Sequence, residues 1–280
     1  VYGSPVKSFP YYIATGYHRL KSTCKTTYQS SDSIVEKSVF AYDTERPYNI
    51  ISKSSLCSGG AEQVERTYYS NNTIPDKESL TTPQRSAIQL LTSRNYLTTP
   101  VQQTMEKKDK RLYSVLRGYS SSLSSGMVVE DQYYCKGTDK YEKRISYNKY
   151  DIYGNPVYFT KDGAEKVVYL WGYKGQYLLA EIKGATYEEV KKALMVDPAS
   201  MSSCILPSIP LYLNMIDNLY KALPSALITS YTYHPLIGVS GIISPNKAKT
   251  TFEYNSDSQL IRIKDTEGKT MEEYQYHFRP

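Results

Sequence analysis

Residues that commonly carry chemistry are scarce in this chain of 280 residues, which has three histidines, four cysteines and one tryptophan. His18, His234 and His277 have no second histidine or acid at a metal-ligand spacing, and each lies in or beside a tyrosine-rich stretch. Structural or exposed roles are therefore expected of them. Cys24, Cys57, Cys135 and Cys204 stand far apart, with no C-x-x-C pair and no nearby histidine, which argues against zinc. Their even number allows one or two disulfides, but so low a density is no disulfide scaffold, and small buried hydrophobes are the expectation. A G-x-S-x-G elbow is missing, and Cys57-Ser-Gly-Gly60 reads as a hairpin turn.

Carboxylate pairs occur only in places that explain them otherwise. Glu188 and Glu189 suit the first turn of a helix, and Glu272 and Glu273 point to opposite faces of a strand. Gly172, Gly175 and Gly184 form no phosphate cradle, and the Asp162-Gly163 and Asp265-x-x-Gly268 turns lack the oxygen spacing of an EF-hand. No catalytic set, cofactor site or metal site emerges, so the expected role is non-catalytic.

Long apolar runs are also lacking, so no helix is expected to span a bilayer. The opening VYGSPVKSFPYY reads as an extended segment rather than a leader peptide. The net charge is +6. Residues 1–150 hold 21 basic and 14 acidic side chains, and residues 151–280 hold 13 and 14. The densest basic run, Lys107, Lys108, Lys110 and Arg111, stands alone and is expected to be a solvated turn, not a nucleic-acid contact.

What the chain has in excess is tyrosine: 30 residues, against five phenylalanines. Tyrosine favours strands, where the ring covers a pleated face and the hydroxyl finds a partner. Period-2 segments recur at 33–42, 166–171, 226–233 and 249–254, with turns at Gly154-Asn-Pro, Asp162-Gly163, Ser244-Pro-Asn and Glu267-Gly268. Internal repetition is also visible. The segment from Tyr150 to Tyr169 aligns with that from Tyr254 to Tyr274, each running tyrosine, Asx, turn, strand, Lys-Asp, glycine turn and second strand. A further copy runs from Tyr233 to Tyr254, and weaker ones start at Tyr42-Asp43 and near Asn95. Two short strands fit each copy of about 20 residues, and hairpins this small need neighbours.

Two stretches read as helix. Thr186 is a cap followed by Glu188, Glu189, Lys191 and Lys192, the charge order a helix prefers. From Pro210, the residues Leu213, Ile216, Leu219 and Tyr220 form an apolar stripe at helical spacing. Together they predict a two-helix insert over 186–223, and a short helix is expected over 83–92.

The motif Tyr150-Asp151-x-x-Gly154-Asn155 with Asp162-Gly163 resembles the bacterial YD-repeat, or RHS-repeat, proteins. So does the run from Tyr169 through Trp171 to Tyr177, then Ala180-Glu-Ile-Lys183, and the run from Ser230 to Gly238 leading into Thr251-Phe-Glu-Tyr254. The resemblance is clear over 147–280 and looser before it. It implies antiparallel hairpins laid side by side in a long curled sheet, a secreted or cell-surface location and, in complete members, a shell around a toxic C-terminal domain. Departures such as Asn255 after Tyr254 mark the repeats as degenerate, and a closed shell is not expected.

The resulting expectation is a mainly β chain, one elongated repeat domain over 1–280, degenerate in 1–146 and clear in 147–280. It would act as a scaffold, pairing with a protein partner or itself through sheet edges. An RHS-type toxin shell fragment is a further alternative. Tyr169, Trp171, Tyr173 and Tyr177 are placed on one strand face. They are expected to form either a sheet face covered by the 186–223 helices or, alternatively, an aromatic platform for carbohydrate.

Overall fold

The computed structural model describes residues 18–29, 32–56, 60–121, 126–203 and 209–276. Sixteen strands form one antiparallel sheet in which neighbours in space are neighbours in sequence. They are β1 (Ser22–Gln29), β2 (Asp32–Tyr42), β3 (Ile50–Leu56), β4 (Glu62–Tyr69), β5 (Pro100–Lys107), β6 (Lys110–Ser120), β7 (Val128–Lys136) and β8 (Glu142–Tyr150). The remainder are β9 (Pro156–Lys161), β10 (Glu165–Gly172), β11 (Tyr177–Lys183), β12 (Leu227–His234), β13 (Gly238–Ile243), β14 (Lys249–Tyr254), β15 (Leu260–Lys264) and β16 (Thr270–Glu273). Side-by-side hairpins with a helical insert are thus the architecture. The basic run is a tight hairpin turn between β5 and β6, with Lys108 and Asp109 both at positive φ.

Three α-helices interrupt the hairpins: α1 (Thr82–Ser93), α2 (Tyr187–Leu194) and α3 (Ile209–Ala222). Thr81 and Gln84 close a reciprocal capping box on α1, and Thr186 and Glu189 do the same on α2. These caps set the helix starts close to where the sequence pattern puts them. No helix among the described residues is long and apolar enough to cross a membrane.

The chain divides into two compact units, residues 1–67 with 105–110, and residues 68–104 with 111–280. Among its described residues, the first unit buries only Asn49, while Ile34, Val35, Val39 and Leu56 are exposed. The second unit has two cores. One packs Ala87, Ile88 and Leu91 of α1 on Val101, Leu116 and Tyr133. The other packs Val190 of α2 and Tyr212, Ile216 and Leu219 of α3 on Val168, Leu170, Ala180, Ile182 and Ile228.

Strand register shows that both cores lie on the same side of the sheet. Directly opposed residues of neighbouring strands share a face. Gly118, under Gln84 of α1, opposes Asp131, which opposes Ser146, then Thr160, then Lys166. Lys166 is two residues from Val168, which belongs to the α2–α3 core. The other face carries the series Arg117, Gln132, Ile145 and Lys161, and the series Tyr147, Phe159, Val167 and Lys183.

Two cysteines lie among the described residues. Cys135 is buried, as expected, whereas Cys24 is exposed on β1, contrary to a buried role. Both are free thiols. Cys57, Cys204 and His277 lie outside the described residues.

Candidate functional site

The tyrosine marks of the repeat have one recurrent physical task. Near the end of a strand, an aromatic side chain donates a hydrogen bond to a backbone carbonyl at the start of the strand before it. Tyr42 donates to Leu20 (2.9 Å), Tyr119 to Pro100 (2.8 Å), Tyr233 to Leu178 (2.8 Å) and Tyr254 to Val239 (2.9 Å). Tyr276 reaches Leu260 at 2.8 Å, and Tyr150 reaches Val129. At the end of β10 the indole Nε1–H of Trp171 does the same to Pro156, the first residue of β9, at 2.8 Å.

A break in register precedes each of these aromatics in the pairing with the following strand. It falls between Ala41 and Tyr42, Gly118 and Tyr119, Lys149 and Tyr150, Leu170 and Trp171, Thr232 and Tyr233, and Glu253 and Tyr254. A bulge increases local twist and re-aims the side chain beside it. Here it turns the ring back toward the preceding strand, where a strand-end carbonyl awaits a donor. Phenylalanine cannot serve, which accounts for the preference for tyrosine.

The residue after the aromatic holds the next turn. Oδ1 of Asp151 accepts from the backbone N–H of Tyr153 (2.9 Å) and Asn155 (2.8 Å). Asn255 Oδ1 does the same for Asp257 (3.0 Å) and Gln259 (2.9 Å), and Asp43 for Glu45 (2.8 Å) and Arg46 (2.9 Å). In each, the Asx N–H closes the loop on a carbonyl, that of Asn155, Gln259 or Asn49. An amide oxygen accepts as a carboxylate oxygen does, so the departure at Asn255 preserves the turn.

The four aromatic candidates do not share one face. Tyr169 and Trp171 lie opposite the helices; Val168 and Leu170, which alternate with them, are the residues beneath α2 and α3. This corrects the expectation that the 186–223 insert covers them. Tyr173 and Lys174 adopt positive φ in the turn after β10, ending strand alternation, and Tyr173 packs against the helix-side core. Tyr173 meets Tyr177 edge-on at 5.1 Å, and Tyr177 lies 4.6 Å from Tyr233.

On the helix-free face Tyr169 and Trp171 extend a row of rings that sequence reasoning did not assemble. Tyr150 lies 5.9 Å from Tyr147, Tyr147 5.5 Å from Phe159, Phe159 5.1 Å from Tyr169, and Tyr169 6.2 Å from Trp171. The last two contacts are edge-to-face, a favoured geometry for packed rings. The signal that could have found the row is the alternation of Tyr147, Phe159 and Tyr169 with residues of the helix-side face. Tyr169 donates its hydroxyl to Glu181 at 3.3 Å. No cluster of potential metal ligands occurs among the described residues.

Removing the indole N–H tests the strand-end role. Trp171→Phe is expected to lower stability by about 1–2 kcal/mol, the loss of one donor plus some ring area. Trp171→Tyr, which restores the usual donor, is expected to recover part of that loss. Urea midpoints of the two variants measure it, and equal losses would rule out the hydrogen bond as the cause.

Burial raises the hydroxyls of these rings above the ordinary tyrosine value near 10. Tyr119, Tyr169 and Tyr233 are pushed up to about 12, Tyr169 with help from Glu181. Burial also raises Tyr147, an effect opposed by Arg117. The folded protein therefore favours the neutral phenols. Their contribution is intact below pH 10 and is lost as pH rises through about 12. Phenolate absorbance is expected to appear together with loss of the β circular-dichroism signal in that window. Gradual ionisation with the fold intact would contradict it.

No protein-family model matches the chain, and no curated protein matches it in sequence. Among solved structures, the Tc holotoxin pore of Photorhabdus luminescens aligns over 85% of this chain and 13% of that one, at 11% identity and TM-score 0.33. TcdB2–TccC3 aligns over 81% and 12%, at 11% identity and TM-score 0.31. The same pair without its hypervariable C-terminal region aligns over 85% and 15%, at 9% identity and TM-score 0.33. The chain thus spans a small part of the chains it is similar to.

Proposed function

We propose that this chain is a non-catalytic repeat scaffold of the YD/RHS kind, part of a secreted or surface-exposed bacterial assembly, acting through contact with protein. The observation that carries the reading is the strand-end device of bulge, aromatic and Asx turn. It spends the polar groups of the tyrosines on holding hairpins side by side, and the row of rings it helps to form includes no convergent pair of free acid and base. The first unit supplies the contact surface in this reading. Its described hairpins bury no apolar side chain, and a sheet without a covered face gains stability from a partner.

Hydrogen exchange tests the proposal. In the isolated 280-residue chain, strands β1 to β3 are expected to exchange much faster than β10 to β12, because few buried contacts oppose their opening. In the assembly purified from the producing cells, β1 to β3 are expected to become protected. Strong protection of β1 to β3 in the isolated chain, or none in the assembly, would refute the contact role.

A further inference from the structure

A cavity of about 670 Å³ opens between the outer flank of α1 and the loop before it, within the second unit. Its size falls in the range of small-molecule sites. Ile74 and Ile88, 6% and 8% exposed, give it an apolar floor. Several polar groups around it are already engaged. Arg85 donates to Glu78 (3.1 Å), to the carbonyl of Leu80 (2.9 Å) and to Thr82 (3.2 Å). The Ser70 hydroxyl donates to the Tyr96 carbonyl (2.7 Å), and Thr92 to the Ser70 carbonyl (2.8 Å).

Other lining groups are uncommitted. The side chains of Thr73, Lys77, Ser86 and Gln89 line the cavity and have no hydrogen-bond or ion-pair partner among the described residues. Arg85 already neutralises Glu78, so the ammonium of Lys77 is left as the uncompensated charge. The cavity therefore offers two isoleucines, two hydroxyls, one amide and one net positive charge.

We propose that this cavity binds a single carboxylate-bearing sugar residue of the uronate class. A sugar ring presents an apolar C–H face for Ile74 and Ile88, and its hydroxyls both donate and accept, as Thr73, Ser86 and Gln89 can. Lys77 pairs with the carboxylate. The site lies beside α1 and uses none of the rings around Trp171, so it stands independently of the scaffold reading.

The test is a nitrogen-15 NMR titration of the full chain with sodium glucuronate, run beside glucose and sodium propionate, which each carry half of the proposed recognition. Glucuronate is expected to produce saturable shifts confined to the amides of residues 70–92, and to bind at least fivefold more tightly than either half-ligand. Lys77→Gln is expected to weaken glucuronate about tenfold, the loss of one charge-assisted hydrogen bond, without altering glucose binding. Gln89→Ala is expected to weaken both sugars. Lys77 and Gln89 are exposed, so these variants keep the fold. Lys249→Gln, outside the cavity, is expected to change nothing. The proposal is overturned by absence of saturable shifts in 70–92, by propionate binding as tightly as glucuronate, or by a Lys77→Gln variant of unchanged affinity.

Discussion

Replacing Asp151 with alanine is expected to lower stability by about 2–3 kcal/mol, because one side chain satisfies three donors at the start of the β8–β9 turn. Asp151 is 3% exposed. Its Oδ1 takes the N–H groups of Tyr153 and Asn155, and its Oδ2 takes Asn155 Nδ2 at 3.0 Å. Asn155 Nδ2 also donates to the Gly175 carbonyl at 2.9 Å, so the same turn ties to the one after β10. Alanine would leave two backbone donors facing a buried methyl group. Tyr153 itself is exposed, and water reaching its N–H keeps the loss from being larger.

Asparagine separates the acceptor from its charge. Asn255 already performs this task with an amide oxygen, so Asp151→Asn is expected to cost about 1 kcal/mol or less. Urea denaturation of both variants is the measurement. If alanine and asparagine destabilise equally, the carboxylate's charge rather than its turn geometry is what matters, and the account of the repeat given above is wrong. The ring preceding the aspartate supplies a contrast. Tyr150→Phe removes one donor to Val129 and should cost less than Asp151→Ala, since one carbonyl rather than two N–H groups loses its partner.

Much of this organisation can be read from local pattern. The strand at 249–254 coincides with β14, and the helix from Thr186 begins where its capping box closes. Such features depend on residues a few positions apart. The misplacements involve longer connections or irregular backbone. Aligning Tyr169 with Tyr274 puts the repeat two residues out of phase, because the hydrogen-bonding pair is Trp171 and Tyr276. A rule keyed to tyrosine passes over an indole that donates in its place. Likewise, strict alternation carries Tyr169, Trp171, Tyr173 and Tyr177 onto one face, but the bulge at Trp171 and the left-handed turn at Tyr173 intervene. The cavity beside α1 joins Ile74 to Ile88 across a turn of chain, and no periodicity announces it.

The same kind of distant connection underlies the second large effect. Gly118→Val is expected to destabilise the protein by about 3 kcal/mol or more. A Cβ on Gly118 would stand 2.4 Å from Cδ of Gln84 and 2.5 Å from its Nε2. Gln84, 1% exposed, cannot retreat without giving up its partners. Its Nε2 donates to Glu130 (3.0 Å) and Asp131 (2.9 Å), and its Oε1 accepts from Tyr133 and from the Thr81 N–H, both at 3.2 Å. The side chain thus caps α1 and fastens it to β7, and glycine on β6 leaves the room for it. Gln84→Ala alone removes those bonds while opening space at Gly118. In the double variant the valine methyls would occupy that space, so the two losses should fall short of additive by at least about 1 kcal/mol. Additive losses in urea unfolding would mean that Gly118 and Gln84 act separately, and that the close approach of helix to strand is not what requires glycine here.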